Sequence, residues 1–452
     1  METKKQISLE VVNSNAAGID IGSRSHWVAV GQNAEDVKEF GVYSQDQLEM
    51  CHWLHSNGVT SIAMESTGTY WQNLFSTLVG QGFDVILVNG RQTKNIKGKK
   101  TDIKDCQWIQ KLHSLGLLSA SFLPDSDTDT IRTYSRHRQN LLKQSASCTR
   151  RMQKYLRLMN MRLEVVVRDI VGLTGSCIIE AFLNGEYRGE ELAKLRHYNC
   201  RKSEEEIAKA LQFNGRKDYL FALQQEWDSY KHLQQQIMDT DLQIDRLLKE
   251  FIEKDDHKKQ HTIEKKKHKR KNKNAVSQTD MNLIAYQYFE GIDLMAIEGV
   301  SEGLIMALIA EVGLDGIRKF PTAKQFTAWL RLAPNNKISG GKVLSNHIPK
   351  GSSRLKTAFR NTANAIGNLK EGWLAEFFKR LSYKKGRATA VSALARKLAV
   401  IIWNMLVKRK GYNPPSQYLF LDEKRKIAAA KRIQKQITKF GLTNKDIEFK
   451  TT

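Results

Sequence analysis

Four acidic residues stand where carboxylates could do chemistry. Asp20 lies inside a β-rich run, GIDIG (18–22), and Glu65 closes another just before the tight Ser-Thr-Gly of MESTGTYW (64–71). Asp102 and Asp105 follow in KGKKTDIKDCQWI, one helical turn apart, so they point the same way. An aspartate between Ile19 and Ile21 is costly to bury unless a cation accompanies it. Carboxylates at strand ends and on a neighbouring helix suit hard divalent ions, and Mg²⁺ favours carboxylate plus water plus substrate phosphate. Two such ions ~3.5–4 Å apart stabilise both the attacking and the leaving oxygen of a phosphodiester displacement. Lys97, Lys99, Lys100 and Lys104 surround the second pair and are placed to meet a phosphate backbone. Taken singly, Asp102 also reads as a helix cap beside Thr101 and Asp105 as an ordinary exposed acid. The four together, in one α/β region of a basic chain, point to a nuclease-type metal site.

A hydroxyl nucleophile is harder to find by residue type. Ser339 sits in Pro-Asn-Asn-Lys-Ile-Ser-Gly-Gly, which on its own reads as a turn. Gly340 and Gly341 permit close approach of a phosphate, and Lys337 and Lys342 flank the hydroxyl. It has no obvious histidine partner, so a metal would have to activate the serine or stabilise the phosphate.

The elements that must hold these groups follow from patterning. AAGIDIG (16–22) and HWVAVG (26–31) form a hairpin signal, and TSIAME (60–65) and FDVILVN (83–89) are buried-strand candidates flanking a helical stretch, 71–79. Residues 1–125 are therefore expected to be an α/β domain. Pro124 and Pro321 then bracket 196 residues without a proline, as long helices require. Heptad spacing runs through Cys148, Met152, Tyr155, Met159, Leu163, Val166 and Ile170. It recurs through Leu220, Leu223, Trp227, Tyr230, Gln234, Ile237, Asp241, Ile244, Leu248 and Phe251. Residues 126–280 are expected to be coiled-coil helices holding subunits together, with Gln234 and Asp241 as register selectors; ordinary amphipathic helices packed on a core are the alternative. A mainly helical domain is expected over 281–415, opening with a helix-hairpin-helix-like stretch at 295–313 whose turn offers backbone N–H groups to a phosphate. A basic helical tail completes the chain over 416–452.

Charge names the class of partner. Among 452 residues, 72 Lys and Arg oppose 48 Asp and Glu, for a net +24. Between Arg318 and Lys410, 21 basic residues oppose only Glu371 and Glu376. That surplus seeks a polyanion, and Arg354, Lys356 and Arg360 join the lysines above as candidate nucleic-acid contacts. HKKQHTIEKKKHKRKNKN (257–274) is a basic low-complexity loop, read either as a solvated linker or as a phosphate contact. No apolar window of the length of a membrane span is read, and METKKQISLEVV has no signal-peptide core. The five cysteines never pair as CxxC, which argues against a disulfide framework or a standard zinc site and for a reducing cytoplasm.

GIDIGSRSHWVAV, AMESTGTYW and KTDIKDCQWI, in that order, resemble the RuvC-like DEDD domain of insertion-sequence transposases described as bridge-RNA-guided recombinases. EGVSEGLIMALIAEVG, FPTAKQFTAWLRLAP and NNKISGGKVLSNHIPKGSSRLKTAF are similar to that family's second domain, and KSEEEIAKALQ (202–212) to the segment between. The resemblance implies an RNase-H/RuvC-like fold for the first domain. It makes Asp20, Glu65, Asp102 and Asp105 the metal ligands, with Mg²⁺ as cofactor and Mn²⁺ as its substitute, and Ser339 the nucleophile that joins to DNA. It implies target and donor DNA as substrates, a structured non-coding guide RNA, and a homo-dimer or homo-tetramer acting in the cytoplasm, at the nucleoid, of a bacterium or archaeon. A resolvase using the carboxylates alone is the rival. So is a packaging protein, which leaves Asp20 and Glu65 without purpose.

Overall fold

The computed structural model describes residues 10–93, 101–261, 274–276, 280–351, 353–414 and 419–441. The chain divides into two compact units, residues 1–123 and 124–452.

In the first unit, β1 (Ala16–Ile21), β2 (His26–Ala29) and β3 (Val37–Phe40) form an antiparallel meander. After α1 (Ser44–Ser56), β4 (Ser61–Glu65) returns parallel to β1; α2 (Trp71–Gly80) then leads to β5 (Asp84–Val88), parallel to β4. The sheet order is β3-β2-β1-β4-β5. Alternate residues Ala17, Ile19, Ile21, Ile62 and Met64 build one core with Met50 and Leu54 of α1 and Leu74 and Leu78 of α2. The other face takes α3 (Asp102–Ser114), whose Gln110 donates from Nε2 to the Ala16 carbonyl at 3.2 Å. The four strands expected from sequence are present, each one or two residues shorter than its run. The short β3 and the helix α1 carry too weak a period to be read in advance.

The second unit is built on α4 (Ser126–Leu158) and α9 (Lys217–Glu253). Between them lie four short helices, α5 (Leu163–Val166), α6 (Leu173–Leu183), α7 (Gly189–Ala193) and α8 (Glu204–Ala210). The first heptad run does not continue as one helix. The chain leaves α4 at Met159, Asn160 adopts φ 61°, and Met161 bridges to Leu211, yet Leu163, Val166 and Ile170 remain in the same core.

The two long helices pair within the chain. Gln234 Nε2 donates to Ser145 Oγ at 2.8 Å, Arg138 pairs with Asp241, and Arg151 bonds Glu226 at 2.5 Å, so rising positions on α4 meet falling ones on α9. Leu223, Trp227, Ile237 and Ile244 are buried in that seam. The expectation that these heptads join subunits is corrected here: apolar spacing reports burial, whatever the partner, and Gln234 and Asp241 fix the register of one chain against itself. Arg138 also donates from Nη1 and Nη2 to the carbonyls of Asn274 and Ala275, both at 2.9 Å, fastening the point where the chain returns from the basic loop. Residues 262–273 of that loop lie outside the described residues.

After α10 (Asp256–Lys259) and α11 (Met281–Tyr288) come a 3-10 turn (Leu294–Ala296), α12 (Glu302–Glu311), α13 (Gly313–Arg318) and α14 (Ala323–Trp329). At the expected helix-hairpin-helix, Gly299 (φ 75°) packs against the Ile366 side chain. An exposed hairpin, β6 (Lys337–Ser339) with β7 (Lys342–Ser345), interrupts this mainly helical region. Then follow α15 (Arg354–Ile366), α16 (Trp373–Lys385) and α17 (Arg387–Lys408). Contrary to the sequence reading, α17 is long and apolar enough to cross a membrane by length and composition. Its apolar side is a core face, with Leu394, Leu398 and Ile402 fully buried. The tail contains α18 (Leu419–Phe440).

Candidate active site

Strand register brings the first two carboxylates together. β1 and β4 run parallel with Gly18 opposite Ala63 and Ile19 opposite Met64, so Asp20 and Glu65 come next, side by side on strands ~4.8 Å apart. Ile19 and Met64 both enter the α1–α2 core, so the period of two turns Asp20 and Glu65 to the α3 face. Both lie at the carboxyl ends of parallel strands, where open α/β sheets place their chemistry.

α3 delivers the third. Gly18 meets the helix backbone directly: a Cβ there would stand 2.5 Å from the Cys106 carbonyl oxygen and 2.7 Å from Gln110 Cα. With Gln110 beside Ala16 and Cys106 beside Gly18, α3 runs antiparallel to β1, and its first turn rises alongside Asp20. Burial pushes the Cys106 thiol up to about 12, and the negative charges of Asp20 and Asp105 push it the same way. One buried sulfur thus feels both carboxylates. Thr101 caps α3, its Oγ1 accepting from the Lys104 amide at 3.3 Å, and Asp102 and Asp105 occupy the first turn, where anions are favoured. Asp105 is half-buried and Asp102 is exposed.

Glu65 is already engaged. Its Oε2 accepts from Thr93 Oγ1 at 2.6 Å, and its Oε1 lies against Gly90, where a Cβ would intrude. Gly90 and Thr93 position a site residue, and only the proximity of a glycine and a hydroxyl to the end of β5 hinted at it in sequence. Among the described residues, no three His, Cys, Asp or Glu side chains are grouped to hold a metal by themselves. Asp20, Glu65 and Asp105 offer oxygen donors on the same side of the sheet, the donor type that Mg²⁺ takes through one or two carboxylates with substrate phosphate completing the shell.

Ser339 ends β6 at the tip of the exposed hairpin, paired with Lys342. Gly340 and Gly341 have φ 54° and 73°, the type I′ pattern of a two-residue hairpin, with open space where a Cβ would project. The glycines serve the turn's handedness, and the hydroxyl is exposed.

The expected nucleic-acid contacts divide three ways. Lys104, Lys337 and Lys342 are exposed, as phosphate contact requires, whereas Lys97, Lys99 and Lys100 lie outside the described residues. Arg354, Lys356 and Arg360 are half-buried or buried, and each makes a hydrogen bond within the protein. Arg354 Nε donates to Gln139 at 3.0 Å, Lys356 Nζ to the Gly351 carbonyl at 3.0 Å, and Arg360 Nη1 to Ser392 Oγ at 2.7 Å.

Two family models match, one described as a transposase, of the DEDD IS110 type, over residues 17–161, the other as a transposase of the IS116/IS110/IS902 family over residues 293–379. The chain belongs to the IS110/IS116 family of transposases. The first match contains the four acids with β1–β5 and α1–α3, and the second contains Ser339 and its hairpin. The chain is also similar to a probable family 20 transposase of Pseudomonas aeruginosa, 32% identical over 129 residues, 27% of this chain and 36% of that protein. It is 31% identical over 127 residues to the transposase for insertion sequence element IS1111A of Coxiella burnetii, 26% of this chain and 33% of that one. The matched stretch thus spans about a third of each relative.

Proposed function

We propose that this IS110/IS116-family chain moves an insertion sequence by breaking and rejoining DNA phosphodiesters. The carrying observation is the β1–β4 register that sets Asp20 beside Glu65, with α3 bringing Asp105 to the same face. The strand order, an antiparallel meander continued by two parallel strands with a central aspartate, supports an RNase-H/RuvC-like reading of the first unit.

Asp20, Glu65, Asp102 and Asp105 would hold Mg²⁺, or Mn²⁺ in its place. The metal's contribution when bound is Lewis-acid stabilisation of charge on the phosphoryl oxygens. Thr93 and Gly90 hold Glu65 in place, and the α3 backbone packed on Gly18 carries the turn that bears Asp105. In the transfer step, Ser339 Oγ bonds to phosphorus as its proton departs. The P–O bond to the deoxyribose breaks, and the leaving oxygen takes up a proton. Bond energy is retained in the phosphoserine, so religation by a DNA hydroxyl needs no nucleotide hydrolysis, in keeping with the lack of a GxxxxGK[ST] loop in the sequence.

Sequence choice is delegated to a structured non-coding RNA pairing with target and donor DNA. Surplus charge of +24 serves backbone contact, while base pairing reads sequence. Exchange between two duplexes cuts four strands, so the working assembly is a homo-tetramer, or a homo-dimer cutting in two rounds.

The test is a reaction on donor and target DNA with co-purified RNA, stopped in denaturant. One DNA end should carry the protein, peptide mapping should place it on Ser339, and both Ser339→Ala and Asp20→Asn should abolish adduct and recombinant. Mg²⁺-dependent cleavage with no adduct would replace this mechanism by that of a resolvase using the carboxylates alone. Sequencing the co-purified RNA tests the guide.

A further inference from the structure

At the root of the Ser339 hairpin, three cations are packed together. Arg331 stands six residues before β6 and adopts φ 54°, a left-handed conformation unusual for a side-chain-bearing residue. Its Nη1 donates to the Lys350 carbonyl at 3.1 Å, and its guanidinium lies against Gly351 (φ 116°), so it ties the strand entering the hairpin to the segment leaving it. Asn335 N bonds the His347 carbonyl at 3.0 Å one step nearer the tip. Lys356 in the first turn of α15 then donates to the Gly351 carbonyl, and Arg360 follows one turn later on the same face, steadied by Ser392.

Lys356 is only 9% exposed. Burial, then the charges of Arg360 and Arg331, holds its ammonium below the ordinary lysine range. Among the described residues, the charges that act on it are both positive. Backbone carbonyls of Lys350 and Gly351 orient two of these groups but carry no net charge, so the cluster is electrostatically incomplete. Burying like charges this way is costly, and a dianionic or monoanionic oxyanion among them removes the cost. The tips of Arg331 and Arg360 supply forked donors, and Lys356 supplies a point charge, the donor set that a phosphate group takes.

We propose that Arg331, Lys356 and Arg360 form a seat for one phosphate of a nucleic-acid backbone, which locks the root of the hairpin and so fixes where Ser339 is presented. The seat follows from the cluster itself; that its phosphate comes from nucleic acid rests on the proposed function. Three residues otherwise engaged inside the protein thereby act as positioning residues, distinct from the exposed Lys337 and Lys342 nearer the tip.

The experiment uses the full chain and two probes, sodium phosphate and a duplex DNA, at matched ionic strength. Phosphate should raise the melting temperature saturably in the wild type and not in Lys356→Met, because an anion bound only to the native state stabilises it by mass action. Without phosphate, Lys356→Met should melt no lower than wild type, since a like charge has been removed. On DNA, the log–log salt slope of the variant should fall by about 1, because one phosphate fewer is neutralised. Arg360→Gln, at a half-buried position, repeats both measurements if Lys356→Met does not fold, and Lys337→Ala should leave the phosphate increment untouched. A phosphate increment unchanged in Lys356→Met and Arg360→Gln overturns the seat. An abolished increment with an unchanged DNA slope overturns the nucleic-acid source. Neither readout depends on recombination, so failure of the serine mechanism leaves this test intact.

Discussion

Gly18→Ala tests whether the packing of α3 on β1 sets the site. The added methyl would stand 2.5 Å from the Cys106 carbonyl oxygen and 2.7 Å from Gln110 Cα, where ordinary contact begins near 3.4 Å. Both neighbours are helix backbone, so no side chain can swing aside. Relief requires α3 to move outward by roughly 1 Å, or the sheet to absorb the strain, at a cost of ~1–3 kcal/mol typical of overpacking. Asp105 rides on the displaced turn, whereas Asp20 and Glu65 stay with the strands. A misplacement of ~1 Å between reacting groups is worth about 10²-fold in rate, so adduct formation at Ser339 should fall by about that factor. Ile19→Val is the matched control. It removes one methyl from the opposite face, fully buried in the α1–α2 core, and should cost ~0.5–1.5 kcal/mol while leaving the carboxylates in place. Urea unfolding measures the stability of both, and the stopped adduct assay measures the chemistry. If Gly18→Ala loses no more activity than Ile19→Val at equal stability loss, the α3–β1 spacing does not set the site. If it loses neither stability nor activity, the close packing itself is wrong.

Two further outcomes follow from buried charge. Asp241→Asn leaves the Arg138 guanidinium buried between α4 and α9 with only carbonyl partners, and should cost ~3–5 kcal/mol by urea unfolding; Arg138→Met with Asp241→Leu should recover most of that, and a single-variant loss below ~1 kcal/mol would contradict the pairing. His26 and His113 are buried with their pKa values lowered by burial, so the unfolded chain takes up protons first: stability should be full at pH 8, fall as pH drops through the ordinary histidine value of 6.5, and level off below the native values. His113→Gln, which replaces the 2.7 Å contact to Ser61, should flatten part of that fall, and an unchanged pH profile would argue against a neutral His113.

What sequence could say about this site depended on whether a residue's partner was local or distant. The strands carrying Asp20 and Glu65 were legible because β-branched runs bounded by glycine and polar turns have few alternatives. The side-by-side placement was not, because it depends on which strands pair and in what register, and β1 pairs with β4 across some 40 intervening residues. Asp102 and Asp105 were readable as a pair from helical spacing alone, yet the reason α3 lies where it does is Gly18, a residue with no chemistry of its own. The heptads fail in an instructive way. Leu223 and Ile244 are as buried as a seam demands, and the sequence pattern is satisfied equally by a second subunit or by a helix some 60 residues earlier in the same chain. What decides is polar: Gln234 finds Ser145, and Asp241 finds Arg138, one heptad apart on both helices, and both partners lie in the same chain. The basic region divides on the same principle. Net charge marked residues 318–410 as seeking an anion, but charge counts do not distinguish Lys337, exposed on the hairpin, from Lys356, buried at its root. Only burial shows that distinction, because it depends on how α15 packs and not on how many charges the segment carries.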